Sequence, residues 1–163
     1  MNGSGRIGLG GWLGAAVLAA AAAAVWGCGV GRMLHEAHDV DKTGVSGQLV
    51  LHGATLGERT IDPRICQSGQ RRYFLGVDAM DEAQGVTVRV VSDPIQDTLV
   101  RVLMAPERGV VFRPAICSVL HASVVPTGWR VNGVDDFSGE LTLDCHTDKG
   151  DGVSGHIQFT HCH

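Results

Sequence analysis

The sequence predicts an all-β domain, a small antiparallel sandwich or barrel-like fold of about eight to nine short strands. Two observations support this prediction. From Ser46 onward, short runs of alternating apolar and polar residues are separated by segments rich in Pro, Gly, Asn and Asp. In addition, Asn132-Gly133 lies between Val131 and Val134, which is typical of a two-residue hairpin turn.

The predicted strands follow the apolar runs in chain order. They are residues 48–52, 71–77, 86–91, 98–104, 109–112, 117–125, 129–131, 139–145 and 155–162. The segments 92–97 and 126–128 contain turn residues and are expected to separate strands. Residues 78–84 are expected to hold the one turn of helix in the domain.

An apolar N-terminal segment precedes the domain. One basic residue, Arg6, is followed by a run from Ile7 to Cys28 without an ionisable side chain, which is typical of a signal peptide. Its end, Val25-Trp26-Gly27-Cys28, resembles the lipobox of bacterial lipoproteins. This resemblance implies a signal peptide over residues 1–27, acyl chains on Cys28 and a polar tether over residues 28–45. The β domain then covers residues 46–163.

A second interpretation of the N-terminal segment remains open. The bulky Trp26 departs from the lipobox pattern, and an uncleaved run over residues 7–30 is long enough to cross a bilayer of ~30 Å as a helix. Both interpretations export the domain to the cell envelope. Gly29 after the lipidated cysteine implies outer-membrane placement in a Gram-negative cell, because an aspartate there would resemble an inner-membrane retention signal.

The four cysteines after Cys28 predict two disulfides, because an exported protein enters an oxidising compartment. Three connectivities are open. The favoured one is Cys66–Cys162 with Cys117–Cys145. Cys145 has the parity of the apolar residues in its strand, whereas Cys162 has the opposite parity in its own, so these two are expected to point apart.

The general plan of the chain resembles the mycobacterial 19-kDa-type lipoprotein antigens. The shared features are a lipidated cysteine, a tether and a small disulfide-closed β domain that ends in Phe159-Thr-His-Cys162. This resemblance covers architecture and implies no catalytic motif.

Charge and composition exclude several classes of function. Twelve of the 13 basic residues and all 17 acidic residues follow Cys28, which gives the exported chain a net charge of about −5. Nucleic acid is therefore not an expected partner, since its phosphates require a basic surface. No Gly-x-Ser-x-Gly motif occurs, and Asp135-Asp136 is interpreted as a pair of solvated turn residues. We therefore predict that the protein is not an enzyme.

The C-terminal histidines suggest an alternative function. His161 and His163 are two residues apart on a predicted strand and are expected to share a face, with His146 as a third ligand. Imidazole suits zinc and copper, so these residues predict a periplasmic Zn or Cu site.

The main prediction is a membrane-anchored binding or envelope-interaction module without a cofactor. The lipid anchor would hold it at the membrane, and its edge strands or loops would contact an envelope protein.

Overall fold

The computed structural model describes residues 44–92, 98–105 and 108–163. These residues form ten strands and two short 3₁₀ helices, Gly69–Arg72 and Pro114–Ile116. The strands are β1 (Gly44–His52), β2 (Arg59–Ile61), β3 (Ile65–Ser68), β4 (Gly76–Asp81), β5 (Val86–Val91), β6 (Leu99–Met104), β7 (Arg108–Phe112), β8 (Cys117–Val131), β9 (Val134–His146) and β10 (Gly152–Cys162). The predicted all-β fold is confirmed.

The strands form two five-stranded sheets that pack as a sandwich. The first sheet has the order β2-β1-β10-β9-β8 and the second β3-β4-β5-β6-β7, and all pairings are antiparallel. Apolar side chains of both sheets form one core. Strand β5 shows the underlying pattern, since Val86, Val88 and Val90 are buried and the residues between them are not.

The predicted hairpin turn at Asn132-Gly133 is present. Val131 pairs with Val134, and the two turn residues have φ of 52° and 78°. Asn and Gly accept this left-handed conformation more readily than other residues, which explains why the chain reverses here.

Two predictions for residues 71–84 are largely wrong. Of the strand predicted over residues 71–77, only Gly76 and Val77 are in a strand, the start of β4; before it the chain forms the 3₁₀ helix Gly69–Arg72, which ends at Tyr73 with φ of 60°. Instead of a turn of helix over residues 78–84, β4 runs to Asp81. The acidic residues of β4 interrupt the alternation of apolar and polar residues that predicts a strand. Asp78 is nevertheless buried, because it pairs with arginines from other elements.

Other boundaries also differ from the prediction. The short strands β2 and β3 were not predicted. The expected break at residues 126–128 is instead a register irregularity inside β8, between Pro126 and Arg130. Proline is tolerated there because β8 is an edge strand, and among the described strands one side of its backbone has no partner.

The N-terminal predictions fall largely outside the described part of the chain. Strand β1 begins at Gly44, inside the segment assigned to the tether. Cys28 with the rest of residues 1–43, and residues 93–97 of the predicted turn, lie outside the described residues. Within the described ranges, no helix is long and apolar enough to cross a membrane.

The two disulfides have the connectivity that the sequence favoured. Cys66–Cys162 joins β3 of the second sheet to β10 of the first, and Cys117–Cys145 joins β8 to β9. However, the parity argument for Cys162 is wrong. The register of β10 shifts between Phe159 and Cys162, and this bulge turns Cys162 into the core.

Candidate functional site

The C-terminal end of β10 carries two of the three predicted metal-ligating histidines. His161 and His163 both lie beside Asp136 of β9: Nδ1 of His161 is 2.9 Å from Oδ2, and Nδ1 of His163 is 3.7 Å from Oδ1. The β10 bulge produces this arrangement, because His161 has a φ of 53° and its amide donates to the Ser138 hydroxyl. The structure therefore places both histidines beside one buried carboxylate, although β10 itself ends at Cys162.

Asp136 is buried, with 1% of its surface exposed, so its interpretation as a solvated turn residue is wrong. Its Oδ2 accepts a hydrogen bond of 2.6 Å from the Thr127 hydroxyl and one from His161. Its Oδ1 has no hydrogen-bond partner within the described part of the chain. Because a carboxylate only accepts, Nδ1 of His161 donates this hydrogen bond.

The third predicted ligand, His146, lies elsewhere. It pairs with Gly152 at the opposite end of β10 from Cys162, and the 11 residues of that strand span roughly 30 Å. Its neighbours are His52 and Asp144. The predicted set of three histidines is therefore not assembled. In the described ranges, no group of three or more His, Cys, Asp or Glu side chains has an arrangement that could hold a metal ion.

A pocket of about 280 Å³ adjoins His163, between the 3₁₀ helix Gly69–Arg72 and the β8–β9 turn. Its polar lining comes from Gln67, Ser68, Arg71, Arg72, Asn132 and His163. Arg72 is already engaged, because it contacts both Asp78 and Gln67. The pocket is therefore small, polar and rich in hydrogen-bond donors.

Strand β8 forms one of the two edges of the first sheet. Strand β8 pairs only with β9 among the described strands, and none of its 15 residues is buried. Val119 is 45% exposed, Val125 55% and Trp129 64%. The sequence predicted strands over residues 117–125 and 129–131. It did not predict that β8 lies at an edge, because no short sequence pattern indicates the order of strands in a sheet.

No family model, curated protein or solved structure matches the chain. The functional conclusion therefore depends on the geometry of the described residues and on the sequence patterns.

Proposed function

We propose that the protein is an exported, lipid-anchored binding module, not an enzyme, and that it binds an extended segment of an envelope protein as an additional strand beside β8. The observation that carries the proposal is the 15-residue edge of β8, which has no partner strand in the described part of the chain. A strand that adds to such an edge gains main-chain hydrogen bonds along its length.

The lengths of the four sheet edges support β8 as the binding edge. Among the described strands, β2, β3 and β7 have 3, 4 and 5 residues, whereas β8 has 15. Short edge strands offer little template for another chain and so protect a protein from unwanted pairing. Three edges are protected in this way and β8 is not.

The side chains of β8 support the same conclusion. Between its two irregularities, the register with β9 is continuous from Val119 to Pro126. On one face Leu120, Ala122 and Val124 pack against the core but remain half-buried. A further strand beside β8 would cover the apolar surface that these residues still expose, at a gain of about 25 cal/mol per Å².

The proposal of a membrane anchor is based on the N-terminal sequence. The lipobox resemblance at Cys28 implies acyl chains that hold the domain at the cell envelope, at the outer membrane in a Gram-negative cell. The two disulfides support export, because such bonds persist in oxidising compartments. A lipid anchor would keep β8 close to membrane proteins of the same envelope.

Site-specific photo-crosslinking in intact cells tests the binding edge. A photo-reactive residue in place of His121, which is exposed on β8, should give a discrete adduct with another envelope protein. The same residue in place of Gln158, exposed on the central strand β10, is the matched control and should give none. Lysines at Val119 and Val125 should abolish the adduct, since edge charges oppose strand addition.

Two outcomes of this experiment would contradict the proposal. One is equal crosslinking from both positions or none from position 121. The other is an adduct of twice the chain mass, which would identify a second copy as the occupant of the edge.

The anchor has its own test. The intact mass of the protein from its native membrane should equal residues 28–163 plus acyl groups, less four hydrogens for two disulfides. The Cys28→Ala variant should lose these acyl groups. The mass of the full unprocessed chain would instead support an N-terminal membrane helix over residues 7–30.

The alternative function, a periplasmic Zn or Cu protein that uses His146, His161 and His163, is not supported as predicted. His146 lies at the far end of the sheet from the other two histidines. We therefore do not propose this set of ligands.

A further inference from the structure

Two histidines meet across a central strand of the first sheet. His52 of β1 pairs with Gly152 of β10, and Gly152 pairs with His146 of β9, so the three residues form one row. The outer two backbones are about 10 Å apart, since adjacent strands are separated by ≈ 4.7–4.9 Å. Their imidazoles nevertheless meet, with 3.1 Å between Nε2 of His52 and Nδ1 of His146.

Gly152 allows the two imidazoles to meet, because it has no side chain between them. A Cβ atom on Gly152 would lie 2.1 Å from both Cε1 and Nε2 of His52, and 2.9 Å from Nδ1 of His146. Any larger residue would therefore displace the His52 ring. With glycine in place, the ring centroids are 4.9 Å apart and the ring planes are tilted by 45°.

Asp144 fixes the protonation of one imidazole. Its Oδ1 is 3.1 Å from Nε2 of His146, and its Oδ2 accepts a hydrogen bond of 2.8 Å from Ser118. Because a carboxylate only accepts, Nε2 of His146 donates this hydrogen bond. In the neutral ring, Nδ1 then has a lone pair that faces Nε2 of His52. A carboxylate that orients the far nitrogen in this way is typical of metal-binding histidines.

We propose that Nε2 of His52 and Nδ1 of His146 bind a divalent transition metal ion of the zinc, copper or nickel class. Two nitrogens bound at ~2.0–2.1 Å to one tetrahedral ion lie roughly 3.3 Å apart, close to the separation found here. These metals prefer imidazole, whereas magnesium and calcium prefer oxygen. On binding, the proton on Nε2 of His52 is exchanged through solvent for one on Nδ1, so the ring stays neutral and the Nε2 lone pair binds the metal.

Water completes the coordination shell. The described residues provide no group of three ligating side chains, so this site has two protein ligands with Asp144 behind one of them. The His146 side chain is 58% exposed, which gives the metal and its waters a route to the site. The proposal concerns a different end of the sheet from His161 and His163, and it does not depend on the proposed binding edge.

Calorimetric titration of the untagged full chain in detergent with Zn²⁺ tests the site. The wild-type chain should bind one ion per chain, and the variants His52→Ala and His146→Ala should each bind it at least about tenfold more weakly. Asp144→Asn should also weaken binding by about tenfold, because outer-shell partners contribute 10–100-fold to metal affinity. The double variant His161→Ala/His163→Ala is the matched control and should bind as the wild type does.

Electron paramagnetic resonance of the Cu²⁺-loaded wild-type chain provides a second measurement that does not depend on the folding of a variant. The spectrum should show hyperfine coupling to two imidazole nitrogens. Absence of binding, wild-type affinity in the His52→Ala and His146→Ala variants, or loss of binding only in the His161/His163 double variant would each overturn the proposal.

Discussion

Asp151 accepts two hydrogen bonds from Thr55, one of 2.7 Å from its backbone amide and one of 2.8 Å from its hydroxyl, although 96 positions separate the two residues. The Leu56 amide donates to the same carboxylate at 3.3 Å. Asp151 is only 4% exposed. The loop between β9 and β10 thus holds the loop between β1 and β2 through one buried side chain.

Replacement of Asp151 by alanine should destabilise the domain by about 2–3 kcal/mol, because it removes hydrogen bonds to a charged group and leaves buried amides without an acceptor. Asp148→Ala is the matched control, since Asp148 is exposed in the same loop and should change stability by less than about 0.5 kcal/mol. Urea denaturation of both variants provides the measurement. Equal stabilities would show that the Thr55 contacts contribute little.

The stability that Asp151 provides should depend on pH. Burial alone would raise the pKa of Asp151, but the hydrogen bonds from Thr55 and Leu56, together with nearby His52, lower this pKa below its ordinary value. The stabilisation is therefore fully present above the unfolded pKa of about 3.9 and is lost as pH falls through the lower folded pKa. The difference in unfolding free energy between wild type and Asp151→Ala should stay constant above about pH 5 and shrink below pH 4. A difference that grows on acidification would contradict this assignment.

The two disulfides should differ in their contributions to stability. Cys66–Cys162 closes a loop of 96 residues and Cys117–Cys145 one of 28 residues. Loop-closure entropy predicts about 4.7 and about 3.6 kcal/mol for these loops. The double variant Cys66→Ser/Cys162→Ser should therefore have the lower melting temperature of the two double serine variants. Calorimetry under non-reducing conditions checks the order, and the reverse order would mean that packing outweighs chain entropy.

Removal of the Asp78 carboxylate should be more damaging than removal of an exposed acid. Asp78 is 1% exposed and pairs with Arg89 at 2.8 Å, and also with Arg72. Asp78→Ala leaves Arg89 without its main partner, at a cost of about 3 kcal/mol or more. Asp62→Ala, which removes the exposed pair with Arg64, should cost about 1 kcal/mol or less. Denaturant midpoints for the two variants distinguish these effects.

Strands with a clear period of two could be predicted from the sequence, and strands stabilised by distant partners could not. The run Val86–Val91 alternates in sequence and in burial, so β5 was predicted with correct ends. In β4, Asp78 interrupts the apolar pattern, and only the arginines that the fold supplies allow it to be buried. Strand β2 has three residues, too few for a period to be recognised.

The candidate sites also differ in how far apart their residues lie in the sequence. His161 and His163 are two residues apart in the sequence, and both lie beside Asp136. The contact of His52 with His146 joins residues 94 positions apart and arises from the strand order β1-β10-β9. Nothing in the spacing of the sequence indicates that order, so His52 was not predicted as a site residue.

The central place of β10 in the first sheet has a consequence for folding. This strand is the last of the ten described strands, yet it joins β1 on one side to β9 on the other. Sheets that depend on pairing between distant segments form slowly. We therefore expect the first sheet to close only after β10 has been synthesised and can pair with both neighbours. Until then the inner edges of β1 and β9 are open to pairing with other chains, and a chain that stops before Gly152 would leave them open permanently.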